Sequence, residues 1–173
     1  MEKHEEALRS LWTATSLMKG LWLRELSSLV LNNPVFQYAP GGAEHHHNYP
    51  HGLIIHVAEV MKNVFAMTRD HPSDELITAV IWHDYMKIKD YEWVDGKITK
   101  TDYHKHINHV AGSAMEFHAE AAHCLPRETL ERIEHLLLSH HGRREWGSPE
   151  EPRTAEALIL HAADMMSAKG CNL

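Results

Sequence analysis

The sequence predicts an all-α fold, a helical bundle with one small β-hairpin insertion near residues 91–100. Two patterns carry that expectation. Apolar residues recur at helical spacing through most of the 173 residues, and an apolar/polar alternation centres on Asp95-Gly96, a dipeptide suited to a two-residue hairpin turn. The length suits one domain with a sizeable core and would be cramped for two. Residues 1–173 are therefore read as a single domain, with residues 1–40 a helical segment packing on it.

Taken in order, residues near 4–32 keep helical spacing, with a break at Gly20. "NNPVFQYAPGGAE" reads as a loop from its Asn, Pro and Gly content. A helix runs from about His51 to Arg69, with Leu53, Val57, Val60 and Val64 on one stripe. "HPSDELITAVIWHDYMKIKD" opens a further helix, with Ser73 as its N-cap. "YEWVDGKITK" forms the hairpin. Helices follow near 104–122, 127–141 and 153–169, the last two joined by the turn-rich "HHGRREWGSPEEP". There is no internal repeat and no low-complexity tract.

Apolar residues at 43 % and charged residues at 24 % are ordinary for a soluble globular protein. A net charge of −7 argues against general nucleic-acid affinity from the overall field, although Arg143 and Arg144 make a local basic spot. The two cysteines, Cys124 and Cys171, form no CxxC pair, which argues against a disulfide framework or a thiolate zinc site and fits a reducing cytoplasm. No apolar run reaches transmembrane length, and "MEKHEEALRS" is too charged for a signal peptide. The unusual number is 17 histidines. "HHH" at 45–47 is short and internal, so it is read as native.

Several polar residues fall on the apolar stripes. His56 lies between Leu53 and Val60. His83 and Asp84 follow Val80 and Ile81 at helical spacing, His140 follows Leu136, and Asp164 follows Leu160. His109 is less clearly placed, with Gly112 and Ser113 leaving room beside it. A single inward histidine is more often a core imidazole bonded to backbone than a ligand. Two inward aspartates are harder to dismiss, because a buried carboxylate needs a partner and one such partner is a metal ion. Four histidines and two aspartates make an N/O ligand set suited to Mn, Fe, Co, Ni or Zn rather than calcium, and facing helices of a bundle can build such a site. Neighbours on a helix point about 100° apart, so His83 and Asp84 can both reach an ion off that face. Asp84 has two oxygens and can bridge two ions. Lys87 lies nearly in line with Asp84 and could neutralise a bound phosphate; the alternative is a surface lysine extending from the helix end.

The order His…His-Asp…His…His…Asp resembles the HD-domain superfamily of metal-dependent phosphohydrolases, over roughly Leu23 to Lys169. It is most similar to the HD domain of YhaM-type 3′→5′ exoribonucleases. "HHNYPHGLIIH" (His46–His56) resembles that group's "HHxYxGGLLEH", and "VIWHDYMKI" (Val80–Ile88) resembles "LLHDIGKI". "NHVAGS" (Asn108–Ser113) resembles "GHIVMG". The most specific block is "HLLLSHHGRREWGSPEEPRTAEALILHAADMMSAK" (His135–Lys169). Met86 and His51 stand where the relatives have Gly, Ile55 where they have Glu, and Ser167 where they often have Asp.

The resemblance implies one ion held by His56, His83, Asp84 and Asp164, and a second by His109 and His140 with Asp84 bridging. One or two divalent ions are expected, with Mn or Fe favoured. His141 is implied as a third-site ligand or a residue just behind the ligands, and Lys87 as the lysine for substrate phosphate, with Asp84 and Lys87 as the catalytic pair. The implied reaction is hydrolysis of a phosphoester by a metal-activated water. His46, His47 and His141 are candidates for the general acid. Tyr49, Arg143, Arg144 and Trp146 are candidates for substrate binding at the mouth, with Trp146 stacking a base; their plainer reading is local packing and a solvated turn.

YhaM-type enzymes carry an OB-type nucleic-acid-binding module before the HD domain, and 173 residues leave no room for one. The expected partner is a small phosphorylated substrate, a nucleotide or short oligonucleotide, with no membrane and no long nucleic acid; a homo-oligomer stays open. The alternatives are an HD-type di-iron oxygenase, which shares the ligand order, and a non-catalytic nucleotide-binding module.

Overall fold

The computed structural model of the protein describes residues 2–43 and 47–170. The all-α expectation holds: helices account for nearly all the regular structure, and the only sheet among the described residues is a two-stranded ribbon. The chain runs α1 (Lys3–Ser16), α2 (Leu21–Leu31), α3 (Pro34–Tyr38), α4 (Gly52–Met67), α5 (Asp74–Trp82), α6 (Lys87–Asp90), β1 (Tyr91–Val94), β2 (Lys97–Lys100), α7 (Asp102–His106), α8 (Asn108–Ala121), α9 (Arg127–Ser139), a 3-10 turn (Arg144–Trp146) and α10 (Ala155–Ala168).

The helix boundaries follow capping chemistry. Ser73 caps α5, its hydroxyl accepting from Leu76 N at 3.1 Å, and Asp74 and Glu75 place negative charge at the positive end of the helix. The Asp74 carboxylate also accepts from the backbone N–H groups of Lys19 and Gly20, at 2.8 and 2.6 Å. That bond supplies a cap where Gly20 has no side chain, and it ties the α1–α2 turn to α5. Thr154 caps α10 through Ala157 N at 3.1 Å. In the hairpin, Tyr91 pairs with Lys100 and Val94 with Lys97. Asp95 and Gly96 both have positive φ, as the tight turn requires.

Helix α4 lies at the centre, packed by α1 on one side and α10 on another; α2 packs on α5, and α9 on α5 and α8. The Leu53, Val57, Val60 and Val64 stripe of α4 enters one apolar cluster with Leu11, Val30, Phe36, Ile81, Phe117, Ile133, Leu137 and Leu160. Trp82, at the end of α5, is buried against Phe117 and Tyr85, and its indole N–H donates to the Leu26 carbonyl at 3.2 Å. The residues that follow Trp82 are thus held at the edge of the core.

Three segments differ from the expected elements. "NNPVFQYAPGGAE" is not all loop: Asn33 accepts from Val35 N at 2.9 Å and Pro34 occupies the first turn, so α3 forms. The helix expected near 104–122 is broken at Ile107–Asn108, where Asn108 adopts a left-handed φ of 59° and its side chain accepts from Val110 N. The His83-Asp84 pair does not lie within a continuous helix. Helix α5 ends at Trp82, and His83, Asp84, Tyr85 and Met86 form a tight turn into α6. Both side chains of the pair are buried.

Phe117 is fully buried at the meeting of α8 with Trp82. Phe117→Ala is expected to cost about 3–5 kcal/mol of unfolding free energy, read from urea denaturation; a loss below about 1 kcal/mol would show that this seam collapses freely onto the vacancy.

Candidate metal centre

Five imidazoles and two carboxylates converge where α4, the turn after α5, the start of α8, the end of α9 and α10 meet. Asp84 is at the centre, 1 % exposed, and its two oxygens face different partners. Oδ2 lies 3.2 Å from His56 Nε2 and 3.4 Å from His83 Nε2; Oδ1 lies 3.3 Å from His109 Nε2 and 3.7 Å from His140 Nε2. Asp164 closes the first group, its Oδ1 3.1 Å from His56 Nε2 and 3.9 Å from His83 Nε2. His141 joins the second, its Nε2 3.3 Å from His109 Nε2. Within each of the sets His56, His83, Asp84 and Asp84, His109, His140, His141, the donor atoms lie within 4.8 Å of one another.

The other ring nitrogen of every histidine is anchored. Nδ1 of His83 donates to the Val80 carbonyl and Nδ1 of His140 to the Leu137 carbonyl, both at 2.7 Å. Nδ1 of His141 donates to the Trp146 carbonyl at 3.1 Å, and Nδ1 of His109 to Asp90 Oδ2 at 2.7 Å. Nδ1 of His56 donates to Ser167 Oγ at 2.9 Å, and the Ser167 hydroxyl donates in turn to Glu59 at 2.7 Å. Anchoring at Nδ1 leaves Nε2 as the lone-pair atom facing inward, the arrangement in which imidazole binds a metal.

Protons alone serve this cluster badly. His109 and His141 approach through Nε2 at 3.3 Å while each uses its Nδ1–H on another acceptor, and two lone pairs cannot bond each other. His140 Nε2 is buried with no hydrogen-bond partner. Burial disfavours a charged His56, yet Asp164 and Asp84 beside it hold its pKa up to about 9, so the ion-free cluster keeps a proton there. Burial, with His140 and His109 alongside, pushes His141 down to about 3, leaving it neutral. Burial works against an ionised Asp84, but Lys87 and His83 outweigh it and hold the carboxyl well below its usual range. A divalent cation fits this donor set: anionic oxygens and neutral imidazole nitrogens, with no sulfur and no competing side-chain donor except Lys87.

Lys87 is buried, not a surface lysine. Its Nζ lies 2.6 Å from Asp84 Oδ2 and donates to the Gly41 carbonyl at 2.8 Å. The loop bearing Gly41 is itself fixed: Gly41 N donates to the His47 carbonyl at 2.8 Å, and Gly52 packs so closely that a Cβ there would meet that carbonyl oxygen at 1.9 Å. His51 adopts φ 67°, a left-handed conformation suited to the Gly of the resembling motif. Its ring stacks on His4 with centroids 3.9 Å apart and bonds the Gln37 carbonyl through Nδ1 at 2.8 Å, contacts that hold the strained backbone in place.

The remaining expected site residues lie further out. The His47 ring is 5.3 Å from that of His56, and its Nε2 is 3.2 Å from Glu59. Tyr49 is exposed beside His47. Trp146 is 47 % exposed, stacked on His161 and covered by the Arg143 guanidinium at 4.8 Å. Arg143 pairs with Glu145 at 3.2 Å, and Arg144 lies 3.9 Å from Glu150, so the expected basic spot is largely neutralised locally. His46 lies outside the described residues. Sequence reasoning missed Asp90, Glu59 and the anchoring role of Ser167. Ser167 lies 111 residues from His56, and Asp90 reaches His109 across the hairpin, so no local spacing marks either.

Comparison with known proteins adds the relatives. The family model described as "HD domain" matches residues 53–169. Proteins named 3′-5′ exoribonuclease YhaM are similar: 34 % identity over 140 residues in Bacillus velezensis, 34 % over 141 in Bacillus subtilis and 33 % over 137 in Listeria monocytogenes serotype 4b. These alignments cover 75–78 % of this chain, which itself spans only 42–44 % of the length of those relatives. No solved structure matches.

A metal held at His56 Nε2 would have to displace the proton there, which would link loading to pH. The raised pKa of His56 stabilises the ion-free chain fully below its unfolded value of about 6.5, and that contribution is lost as pH rises through about 9. The rise in Tm on adding Co(II) or Mn(II) to chelator-stripped protein is therefore expected to be larger at about pH 8.5 than at about pH 6. Equal shifts at both pH values would mean that the ion does not compete for this imidazole.

Proposed function

Because the chain belongs to the HD domain family, we propose that it is a metal-dependent phosphohydrolase that hydrolyses phosphoester bonds of a nucleotide or short oligonucleotide. The observation that carries this reading is the division of Asp84, with one oxygen directed to His56 and His83 and the other to His109 and His140. In this proposal His56, His83, Asp84 and Asp164 hold one divalent ion, and Asp84, His109 and His140 hold a second, with His141 as its further ligand. Mn and Fe are favoured among the metals that suit such N/O donors. The ions would supply a water acidified towards neutral pH and Lewis acids for the phosphoryl oxygens.

The chain's own residues do the rest. Lys87 has three N–H groups; two are directed at Asp84 and the Gly41 carbonyl, and the third is offered to a phosphoryl oxygen, where it offsets developing charge. His141, held neutral at ordinary pH, suits a ligand rather than a proton donor. His46 and His47 then remain as candidates for the acid that protonates the leaving group, and we assign His47, which is paired with Glu59 and beside His56. Trp146 and Arg143 are kept as candidates for a base and its phosphate, a role that would require Arg143 to leave Glu145 and uncover the indole. The relatives named as exoribonucleases make ribonucleotide phosphodiesters the first substrates to try. The net charge of −7 favours short substrates over long RNA. We further read residues 1–173 as a single domain, and take the two cysteines outside any CxxC pair to fit a reducing cytoplasm. No helix among the described residues is long and apolar enough to cross a membrane.

Elemental analysis of freshly purified protein, joined to a phosphoester panel with Mn(II) added, tests the reading. Asp84→Ala is expected to lose both metal and turnover. Lys87→Ala is expected to keep its metal and lose about 10²–10³-fold in kcat. Full activity of Asp84→Ala would refute the site. Processive ladders on long RNA with poor turnover of short substrates would overturn the size preference. Substrate-dependent oxygen uptake by iron-loaded protein would move the assignment to an oxygenase, and metal-dependent nucleotide binding without turnover to a binding module.

A further inference from the structure

The hairpin insertion meets the metal centre at one buried residue, Asp90, the last residue of α6. One of its oxygens, Oδ2, accepts three bonds: from Nδ1 of His109 at 2.7 Å, from the backbone N–H of His109 at 3.1 Å and from Nδ1 of His104 at 3.0 Å. The backbone of Asp90 closes the hairpin, its carbonyl accepting from Thr101 N at 3.0 Å. The side chain is completely buried. The other ligand histidines are anchored by neutral acceptors, namely backbone carbonyls and the Ser167 hydroxyl. His109 alone among the five is anchored by a carboxylate.

Asp90 acts on His109 in two ways at once. Helix α8 begins at Asn108, a residue with left-handed φ, so the N–H groups of its first turn have no intrahelical acceptor. Asp90 satisfies one of them and places negative charge at the positive end of the helix. The same oxygen accepts the hydrogen bond that His109 Nδ1–H donates, which fixes the ring and its tautomer and raises the basicity of Nε2. Backbone and side chain of one ligand are thus clamped by a single oxygen atom.

We propose that Asp90 is the positioning residue for the second ion: it holds His109 in the orientation and tautomer that ion requires, and the first ion does not depend on it. This rests on the two-ion reading of the site. The first-ion set meets Asp90 only indirectly, through the shared Asp84, whose Oδ1 lies 3.3 Å from His109 Nε2 while its Oδ2 faces His56 and His83. A neutral amide in place of the carboxylate keeps the shape and removes the charge.

The test is Co(II) titration of metal-stripped full-length protein, followed by absorption spectroscopy and elemental analysis, with wild type, Asp90→Asn, His109→Ala, the double variant and His104→Ala. Asp90→Asn is expected to retain the first ion unchanged and to weaken the second about 10–100-fold, with an altered spectrum for that ion. In the His109→Ala background, adding Asp90→Asn is expected to cost nothing more, because its effect runs through that ring. His104→Ala, which disturbs the same junction but leaves the carboxylate, is expected to keep both ions.

Unchanged second-ion affinity in Asp90→Asn would overturn the proposal. So would equal loss of both ions, or a loss in His104→Ala as large as in Asp90→Asn, since either points to general disruption of the junction. Failure of wild type to bind two ions would instead sink the two-ion reading itself, so the two failures are distinguishable.

Discussion

A carboxylate removed from water must be compensated, and the arrangement around Asp84 follows from that demand. Desolvation of an ionised carboxylate costs several kcal/mol even after relaxation. Here the compensation comes from the Lys87 ammonium at 2.6 Å and from a ring of imidazoles contributed by four segments: α4, the turn after α5, the start of α8 and the end of α9. Lys87 in turn requires an acceptor, and the Gly41 carbonyl supplies it, which fixes the entry loop over the site. Asp84 stands in a tight turn between α5 and α6, and its two oxygens face opposite halves of the pocket.

Direction matters as much as proximity. Histidines gathered in a core can present either nitrogen, and a cluster that presented a mixture would bond to itself and hold no ion. In this fold every Nδ1 has an acceptor behind it, so every Nε2 points forward. Donor identity and donor orientation are thus set by different residues, and the second group includes backbone carbonyls, which no side-chain substitution can remove.

Much of this was legible in the sequence. The helical stripes located His56, His140 and Asp164 on inward faces, and Asp95-Gly96 marked the hairpin, because both signals arise from periodicities within a single element. Four blocks in order carried the resemblance to the family, the one from His135 to Lys169 being the most specific. Less legible were the turn at His83-Asp84, which an apolar run continuing towards "MKIK" disguised as helix, and the short helix after Asn33, where capping overrode the loop composition. Asp90, Glu59 and Ser167 were unreadable as anchors, since each acts through a partner that only the tertiary fold brings near. The mouth residues Arg143 and Arg144 show the converse: a basic pair in sequence has glutamates as neighbours in space.

The anchors also differ in how far along the chain they reach. His83 and His140 bond carbonyls three residues back, so their rings can be set as soon as a local turn forms. His56 must wait for Ser167, 111 residues later, and its ligand partner Asp164 is made almost as late. A chain emerging from the ribosome therefore has oriented donors early but no complete cage until nearly all of the family-matched segment has been synthesised. On the proposed ligand set, tight ion capture would be an event of the finished fold, and a nascent or truncated chain without Asp164 and Ser167 would lack part of the cage.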